Sequence, residues 1–134
     1  RVLKRDRSHT SRSFYRYVFA IDPLTFGVEH DVACAALNAE CIDCWMGYEA
    51  MNHYTLFQPQ LSKLAVPNAF PEYFKFDQMH MPVAERACEH EAVWLDEAIF
   101  RAGPKGVDDA VEAIHKIQRN ATVLRQKAEE LRRG

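Results

Sequence analysis

The chain has 134 residues, of which 48% are hydrophobic and 27% are charged, and its formal net charge is −2. This composition is typical of a globular protein with enough residues for one core. The near-neutral charge argues against a domain that binds nucleic acid over its whole surface. No apolar run approaches the ~18 residues that a membrane span requires. We therefore expect neither a nucleic-acid partner nor a membrane partner.

The N-terminal charges and the cysteines indicate the setting of the protein. Residues 1–16 carry six basic side chains against the single acid Asp6. We interpret 1–13 as a solvated basic lead-in, because no aromatic residue interleaves the charges before Phe14. The chain begins with Arg1 rather than Met, so we expect a piece of a longer protein. The four cysteines could form disulfides in a secreted protein, but nothing in the sequence signals export. We therefore expect reduced thiols and a cytoplasmic location.

The first part of the chain predicts a strand, a helix and a second strand. Aromatic and β-branched residues over 14–22 predict a strand buried on both faces, which ends at Asp22-Pro23. Apolar residues at helical spacing predict an amphipathic helix over 29–40. Residues 41–48 predict a returning strand closed by Gly47. This order of elements indicates an α/β or α+β fold.

A long irregular stretch separates these elements from the rest. Residues 49–80 contain scattered aromatic residues, prolines and little periodicity. Loops of this length in a compact domain are usually functional. A helix is predicted after Met81-Pro82, a short third strand over 93–95, and a turn over 103–106.

The longest helical signal begins at Val107. Apolar residues recur at alternating steps of four and three over 110–131, which is a heptad stripe. We expect the first half to pack on the sheet, and we expect residues 120–134 to form a charged helical tail that projects, frays or docks on a partner. The predicted fold class is α/β, as an α+β-like small domain in which helices cover a small few-stranded sheet and a long helix ends the chain.

The C-x-x-C pair of Cys41 and Cys44 raises the question of zinc or redox chemistry. A zinc half-site needs both thiolates on a turn and a second ligand pair, but here the pair falls on a predicted strand, whose residues three apart point to opposite faces. We therefore interpret both as buried packing residues. The histidines form no i, i+4 pair on one helix, so no metal site is predicted. No Ser–His or Cys–His nucleophile system finds support either, so no catalytic residue is predicted in this chain.

The segment 45–57 is the strongest candidate for ligand binding. It leaves the second strand and enters the long loop with aromatic, amide and imidazole side chains, which suit a cleft for a polar, hydroxylated ligand. The alternative is that the aromatic residues cover the edge of a small core, and the residue types leave both open. The side chains concerned are Tyr48, Met51, Asn52, His53, Tyr54 and Phe57.

The order of these segments resembles the C-terminal part of the DegT/DnrJ/EryC1/StrS aminotransferases, which act on sugars and cyclitols with pyridoxal phosphate and have the aspartate-aminotransferase fold. The resemblance rests on "FYRYVFAIDPLTFGVEHDVACAALNAECIDCWMGYE" (14–49), the long loop, "MPVAERACEHEAVWLDEAIF" (81–100) and the final helix. It covers residues from about Phe14 to Asn120 and implies that 14–119 is the family's small domain and 1–13 a linker from a missing large domain.

The resemblance also implies where the chemistry lies. The family's cofactor-anchoring lysine belongs to the large domain, and none of the six lysines here stands in the serine-rich setting of that residue. We therefore expect pyridoxal phosphate to be bound by the parent enzyme and not covalently by this chain. The implied partners are the large domain, a second subunit in a homodimer, a keto-sugar or keto-cyclitol substrate, and glutamate or glutamine as amino donor.

The family often carries a Tyr-x-Pro-(Leu/Val/Met)-His-x-x-Pro pattern where this chain reads "YEAMNHYT". Tyr48 and Met51 match, whereas Asn52 stands in place of the histidine. The resemblance implies that Tyr48, Met51, Asn52 and His53 line the substrate pocket. Alternatives of other classes are a stand-alone α/β binding or interaction module without activity, and a zinc protein built on Cys41 and Cys44.

Overall fold

The computed structural model describes all residues of the chain except Leu3, Arg5, Arg12, 56–60, Ser62, Phe76 and Asp77. The chain forms two compact units. Residues Arg1–Gly47 and His90–Gly134 make the first, and Tyr48–Glu89 the second.

The first unit is built on a three-stranded antiparallel sheet in which β3 (Ala92–Leu95) lies between β1 (Tyr17–Ala20) and β2 (Cys44–Trp45). In β3, Val93 and Leu95 are buried, whereas Ala92 and Trp94 are only partly buried. This alternation follows from the period of two along a strand, which places one face against the core. The short run predicted over 93–95 is thus the central strand.

The strand predicted over 14–22 is confirmed in position, but it is shorter and less buried than predicted. All four residues of β1 are half-buried. Because β1 lies at one side of the sheet, its outer edge is available, and Val2 forms a bridge with Phe19 there. The second predicted strand, over 41–48, is reduced to Cys44–Trp45.

Two helices of the first unit lie between β1 and β2 in the chain, and a third follows β3. Helix α1 (Pro23–Phe26) is a single turn whose N-cap Asp22 accepts a hydrogen bond from the Leu24 backbone N–H, and α2 (His30–Ala39) confirms the helix predicted over 29–40. A third helix, numbered α5 in chain order, spans Ala98–Arg101 and was not predicted.

The long C-terminal helical signal forms two helices. Helix α6 spans Pro104–Arg119 and α7 spans Ala121–Arg133. The turn predicted over 103–106 is wrong, because Pro104 already begins α6, and proline is well suited to the first helical position. Asn120 interrupts the helix, and its side-chain amide donates to the Lys116 carbonyl at 2.8 Å.

Helices α6 and α7 pack chiefly on other helices. The main contacts of α6 are with α2 and α5, and α7 contacts α2 and α6. The tail over 120–134 therefore folds back rather than projecting, with Arg132 paired to Asp31 of α2 at 2.8 Å. The core of this unit joins apolar residues of the sheet, α2 and the two final helices: Ile21, Val28, Ala33, Cys34, Leu37, Ile42, Cys44, Val93, Leu95, Ala110, Ala113, Ile117 and Ala121.

The second unit consists of short helical segments joined by loops. A 3₁₀ turn spans Met51–His53, α3 spans Ala65–Ala69, and a second 3₁₀ turn spans Pro71–Tyr73. The helix predicted after Met81 is confirmed as α4 (Pro82–Arg86), which continues into a π-helical turn, Ala87–Glu91.

The predicted fold class is confirmed: helices cover a small sheet and a helix ends the chain. In the part of the chain that the structure describes, no helix is both long and apolar enough to cross a membrane. The division into 1–13, 14–119 and 120–134 stays a prediction.

Candidate functional site

The four residues predicted to line a pocket all belong to the second unit, but they do not share one environment. Tyr48 and Met51 are 60% and 62% exposed, and His53 is also exposed. Asn52, between them in the 3₁₀ turn, is only 5% exposed. Phe57, which ends the predicted segment, lies outside the described residues. The turn therefore presents Met51 and His53 outward and Asn52 inward.

The Asn52 amide is anchored by two acceptors. Its Nδ2 donates to the Met79 carbonyl at 3.0 Å and to Glu85 Oε1 at 2.6 Å. Because both partners only accept, the nitrogen of the amide has to face them. The oxygen, Oδ1, is buried and has no hydrogen-bond partner among the described residues. Asn52 thus links the 3₁₀ turn to α4 through its nitrogen, and its side-chain oxygen accepts no hydrogen bond from the described residues.

His53 lies between two carboxylates of the helical segment that follows Met81. Its Nδ1 is 2.9 Å from Glu89 Oε1, and its Nε2 is 3.6 Å from Glu85 Oε1. A carboxylate that accepts the Nδ1–H of a histidine fixes the tautomer and the orientation of the ring. The arrangement leaves the Nε2 side of an exposed imidazole available for hydrogen bonding.

Several donors lower the pKa of Glu85. The Met81 backbone N–H donates to Glu85 Oε1 at 2.9 Å and is the largest cause of the lowered pKa; the Asn52 amide is the second, and His53 and His80 add smaller effects. Hydrogen bonds to the charged form of a carboxyl favour ionisation. Glu85 is therefore a fixed negative charge beside Asn52 and His53.

Sequence reasoning missed Glu85 and Glu89 as part of this site. The signal was available, since two acids four residues apart lie on one face of a helix. Their connection to Asn52 depends on a contact across 33 residues of chain, which no local pattern indicates.

The second unit also exposes many large apolar side chains. Contiguous exposed apolar surface usually marks a binding or interaction surface. The residues concerned are Tyr48, Met51, Leu61, Leu64, Val66, Phe70, Tyr73, Met81 and Val83.

The interpretation of Cys41 as a buried strand residue is wrong. Cys41 is exposed and adopts the left-handed conformation, φ 62°, in the turn after α2. Cys44 alone lies on β2, where it is buried beside Cys34. The Cys44 thiol donates to the Cys34 carbonyl at 3.6 Å. The contact between the two thiols raises the pKa of Cys44 and lowers that of Cys34. The described residues contain no group of three or more His, Cys, Asp or Glu side chains suited to a metal ion.

In the first unit, Trp45 takes part in a stacked cluster around Arg16. The guanidinium carbon lies 4.6 Å from the centre of the Trp45 ring and 4.9 Å from that of Tyr15. The same guanidinium pairs with Asp96 and Glu97. Cation–π contacts and ion pairs at one guanidinium lock it in place. Trp45 therefore packs on Arg16 within the first unit.

The first unit also contains a groove of about 260 Å³ beside α7. Leu24, Val28 and Val32 form its apolar side, and Arg125 and Arg132 its charged side. None of the residues predicted to bind substrate lines this groove.

The lysines of the chain do not fit the covalent anchoring of a cofactor aldehyde, which requires a neutral amine that is desolvated or has a lowered pKa. Lys105 shows the opposite, because the Asp109 carboxylate raises its pKa. Lys116 is paired with Glu40 at 2.7 Å. All six lysines are exposed: Lys4, Lys63, Lys75, Lys105, Lys116 and Lys127.

Comparison with known proteins finds similar sequences. The chain is 27% identical over 124 residues to a protein of Streptoalloteichus tenebrarius, 28% over 128 residues to one of Micromonospora echinospora, and 26% over 119 residues to one of Streptomyces kanamyceticus. Each is named as an L-glutamine:3-amino-2,3-dideoxy-scyllo-inosose aminotransferase. No family model matches the chain.

The extent of these matches is uneven. They cover 87%, 92% and 86% of this chain but only 29%, 31% and 28% of the three relatives. The chain therefore spans less than a third of the length of the curated aminotransferases that it matches.

Proposed function

We infer that the chain is the C-terminal small domain of a pyridoxal-phosphate-dependent aminotransferase of the DegT/DnrJ/EryC1/StrS type, which aminates a keto cyclitol in the cytoplasm. The observation that carries this proposal is the similarity to three aminotransferases over 86–92% of this chain. Their names give glutamine as donor and an amino-bearing keto cyclitol as acceptor. A keto cyclitol is therefore preferred to a keto sugar.

In this proposal the cofactor lies outside the chain. Pyridoxal phosphate carries the amino group between donor and acceptor and stabilises negative charge on the reacting carbon. The exposure and ion pairs of the lysines described above give it no anchor here, so the missing large domain holds it. The donor is glutamine or glutamate, and the parent enzyme is a homodimer.

The contribution of this chain is the rim of the substrate pocket. The 3₁₀ turn Met51–His53 is held by the inward amide of Asn52, and Tyr48, Met51 and His53 remain exposed for contact with a substrate. An apolar and aromatic surface with a few polar groups is suited to the face and hydroxyls of a cyclitol ring.

The second candidate is a stand-alone interaction module without catalytic activity. The exposed apolar side chains of the Tyr48–Glu89 unit favour it, because such a surface also suits a protein partner. The two candidates differ in the sequence that precedes Arg1 in the parent reading frame, since only the aminotransferase requires a lysine-bearing domain there.

The experiment on the chain itself is reduction with borohydride in the presence of pyridoxal phosphate, followed by peptide mapping. We expect no lysine to be modified stoichiometrically and no cofactor absorbance to survive desalting. Stoichiometric modification of one lysine would refute the assignment of the cofactor to another domain. A parent reading frame without an upstream lysine-bearing domain would refute the aminotransferase itself.

A further inference from the structure

Cys34 and Cys44 bring two thiols together inside the first unit. Cys34 lies on α2 and is 5% exposed, and Cys44 lies on β2 and is 4% exposed. The Cys44 Sγ is 3.6 Å from the Cys34 carbonyl oxygen, and the two thiols, both free, are in contact. Two cysteines can be joined without backbone movement only when their side chains already approach each other. This pair meets that condition.

The side chain of Asn38 holds the two elements together where the thiols meet. Asn38 follows Cys34 by one turn of α2, and its Nδ2 donates to the Cys34 carbonyl at 2.9 Å and to the Cys44 carbonyl at 2.8 Å. Its Oδ1 accepts from the Cys44 backbone N–H at 3.2 Å. The backbone around Cys44 is therefore fixed against α2 from both its N–H and its carbonyl.

The two thiols differ in acidity. The contact with the Cys44 thiol lowers the pKa of Cys34, and burial and the nearby Asp31 oppose this effect. The contact with the Cys34 thiol, followed by burial, raises the pKa of Cys44. Because the thiolate is the reactive form of a cysteine, Cys34 is the sulfur that reacts first with an oxidant. Cys44 is then the sulfur that attacks the oxidised Cys34.

The position of β2 gives a small oxidant access to the pair. Strand β2 has only two residues, Cys44–Trp45, and pairs with β3 at one side of the sheet. Short elements at the side of a sheet open locally at a lower cost than the centre of the core does. Hydrogen peroxide is small and uncharged, so a brief opening of β2 admits it.

We propose that Cys34 and Cys44 form a site of reversible oxidation, at which a hydroperoxide converts the two thiols into a disulfide that links β2 to α2. The Cys34 thiolate attacks one peroxide oxygen, the O–O bond breaks, and the departing oxygen takes up the proton that Cys34 released. Cys34 is then a sulfenic acid, which condenses with a neighbouring thiol. The Cys44 sulfur attacks the Cys34 sulfur, the S–O bond breaks, and the hydroxide leaves with the Cys44 proton as water.

This reaction balances, since the two thiols lose two electrons and the peroxide gains them. A dithiol reductant reverses it by thiol–disulfide exchange. The disulfide closes the segment 34–44, so that β2 can no longer separate from α2. Strand β2 leads through Gly47 into the loop that carries the Met51–His53 turn. The proposal is independent of the proposed function, because it concerns only the thiols of this chain.

The test maps the disulfide in the full chain. The folded chain is treated with a small molar excess of hydrogen peroxide, unfolded in iodoacetamide to block the remaining thiols, and cleaved without reduction after Glu and before Asp. Cuts after Glu40 and before Asp43 separate the three cysteines of this region onto different peptides. We expect the Cys34 and Cys44 peptides to be joined and to separate again with dithiothreitol. A link that contains Cys41, or alkylation of both Cys34 and Cys44, would overturn the proposal.

Matched variants show which thiol reacts first. In Cys34→Ser we expect peroxide to consume the Cys44 thiol at least about tenfold more slowly than in Cys88→Ser, because the attacking thiolate is missing. Cys88 is a partly buried thiol outside the pair and serves as the control. Equal rates in the two variants would contradict the order of attack. If Cys34→Ser fails to fold, the map of the unmodified chain decides the proposal.

Hydrogen exchange measures what the disulfide does to β2. The Cys44 backbone N–H is bound to Asn38, and it exchanges only when β2 separates from α2. We expect this amide to exchange at least about tenfold more slowly in the oxidised chain, because the link opposes that opening. Reduction restores the original rate. An unchanged rate in the oxidised chain would refute the link between β2 and α2.

Discussion

Asn52 donates a 2.6 Å hydrogen bond to Glu85, a residue 33 positions further along the chain. Asn52 donates a second hydrogen bond to the Met79 carbonyl at 3.0 Å. The two bonds join the start of the long loop to its end and to α4. The unit is otherwise poor in regular structure, so a single amide organises the turn that carries Met51 and His53.

Asn52→Ala is expected to destabilise the Tyr48–Glu89 unit. The substitution leaves the Met79 carbonyl without its donor, and a buried polar group that loses its partner costs about 1–3 kcal/mol. Hydrogen exchange measures the effect as faster exchange of the Tyr54 and Met81 amides. Gln78→Ala, at an exposed position, is the control. Unchanged exchange in Asn52→Ala would show that the amide does not hold the turn.

His30 is expected to make stability depend on pH. Burial is the main cause that lowers its pKa; the nearby His90 adds to the shift, and Asp31 and Glu29 oppose it. The imidazole is neutral in both states above the unfolded pKa of about 6.5. As the pH falls below that value, the unfolded chain binds the proton first, so the free energy of unfolding falls until the pH passes the folded pKa.

The measurement is denaturant unfolding at about pH 7.5 and about pH 5.5, on either side of the ordinary histidine pKa. His30→Gln is expected to lose part of the pH dependence. His115→Gln, at an exposed position of α6, is expected to keep more of it. An undiminished pH dependence in His30→Gln would show that His30 is not the group whose protonation lowers the free energy of unfolding.

The cysteines are expected to react in the order of their exposure. Cys41 is exposed and Cys88 is partly buried, whereas Cys34 and Cys44 are buried with their thiols in contact. Alkylation of the buried pair requires local opening, and an opening cost of about 1.4 kcal/mol already slows it about tenfold. Iodoacetamide labelling followed by mass spectrometry checks the order. Early labelling of Cys34 or Cys44 would contradict the packing of α2 on β2.

Gly47 is expected to tolerate alanine less well than Gly103 does. Both have positive φ, 83° and 74°, so both substitutions carry a backbone cost of about 1–3 kcal/mol. A Cβ at Gly47 would lie 2.4 Å from Trp94 Nε1, whereas a Cβ at Gly103 meets nothing within 4 Å. Overpacking adds about 1–3 kcal/mol at Gly47. Urea unfolding of the two variants measures the difference, and equal losses would contradict the close approach.

The elements predicted correctly are those whose pattern is complete within a few residues. The apolar stripe of 29–40 fits one face of a helix, and the short run 93–95 fits a central strand. The break at Asn120 was not predicted as a helix end, because the heptad stripe passes through it unchanged. It depends on the Asn120 amide capping the Lys116 carbonyl.

The site could be predicted only in part. The types of Tyr48, Met51 and His53 indicated a ligand-binding turn, but the inward direction of Asn52 depends on Met79 and Glu85, which lie 27 and 33 residues away. Cys41 failed for a related reason. Cys41 lies in the turn that follows the end of α2, and the strand pattern of 41–48 does not indicate where that helix ends.

The central claim is that this chain forms the substrate side of an active site whose cofactor lies elsewhere. The most direct measurement is the rate of the two half-reactions in the longer protein after His53→Ala, with Gln78→Ala as control. We expect amination of the keto cyclitol to slow about tenfold, as loss of one hydrogen bond to a polar substrate implies. The half-reaction with the amino donor is expected to stay close to that of the control. Equal slowing of both half-reactions, or of neither, would contradict the account.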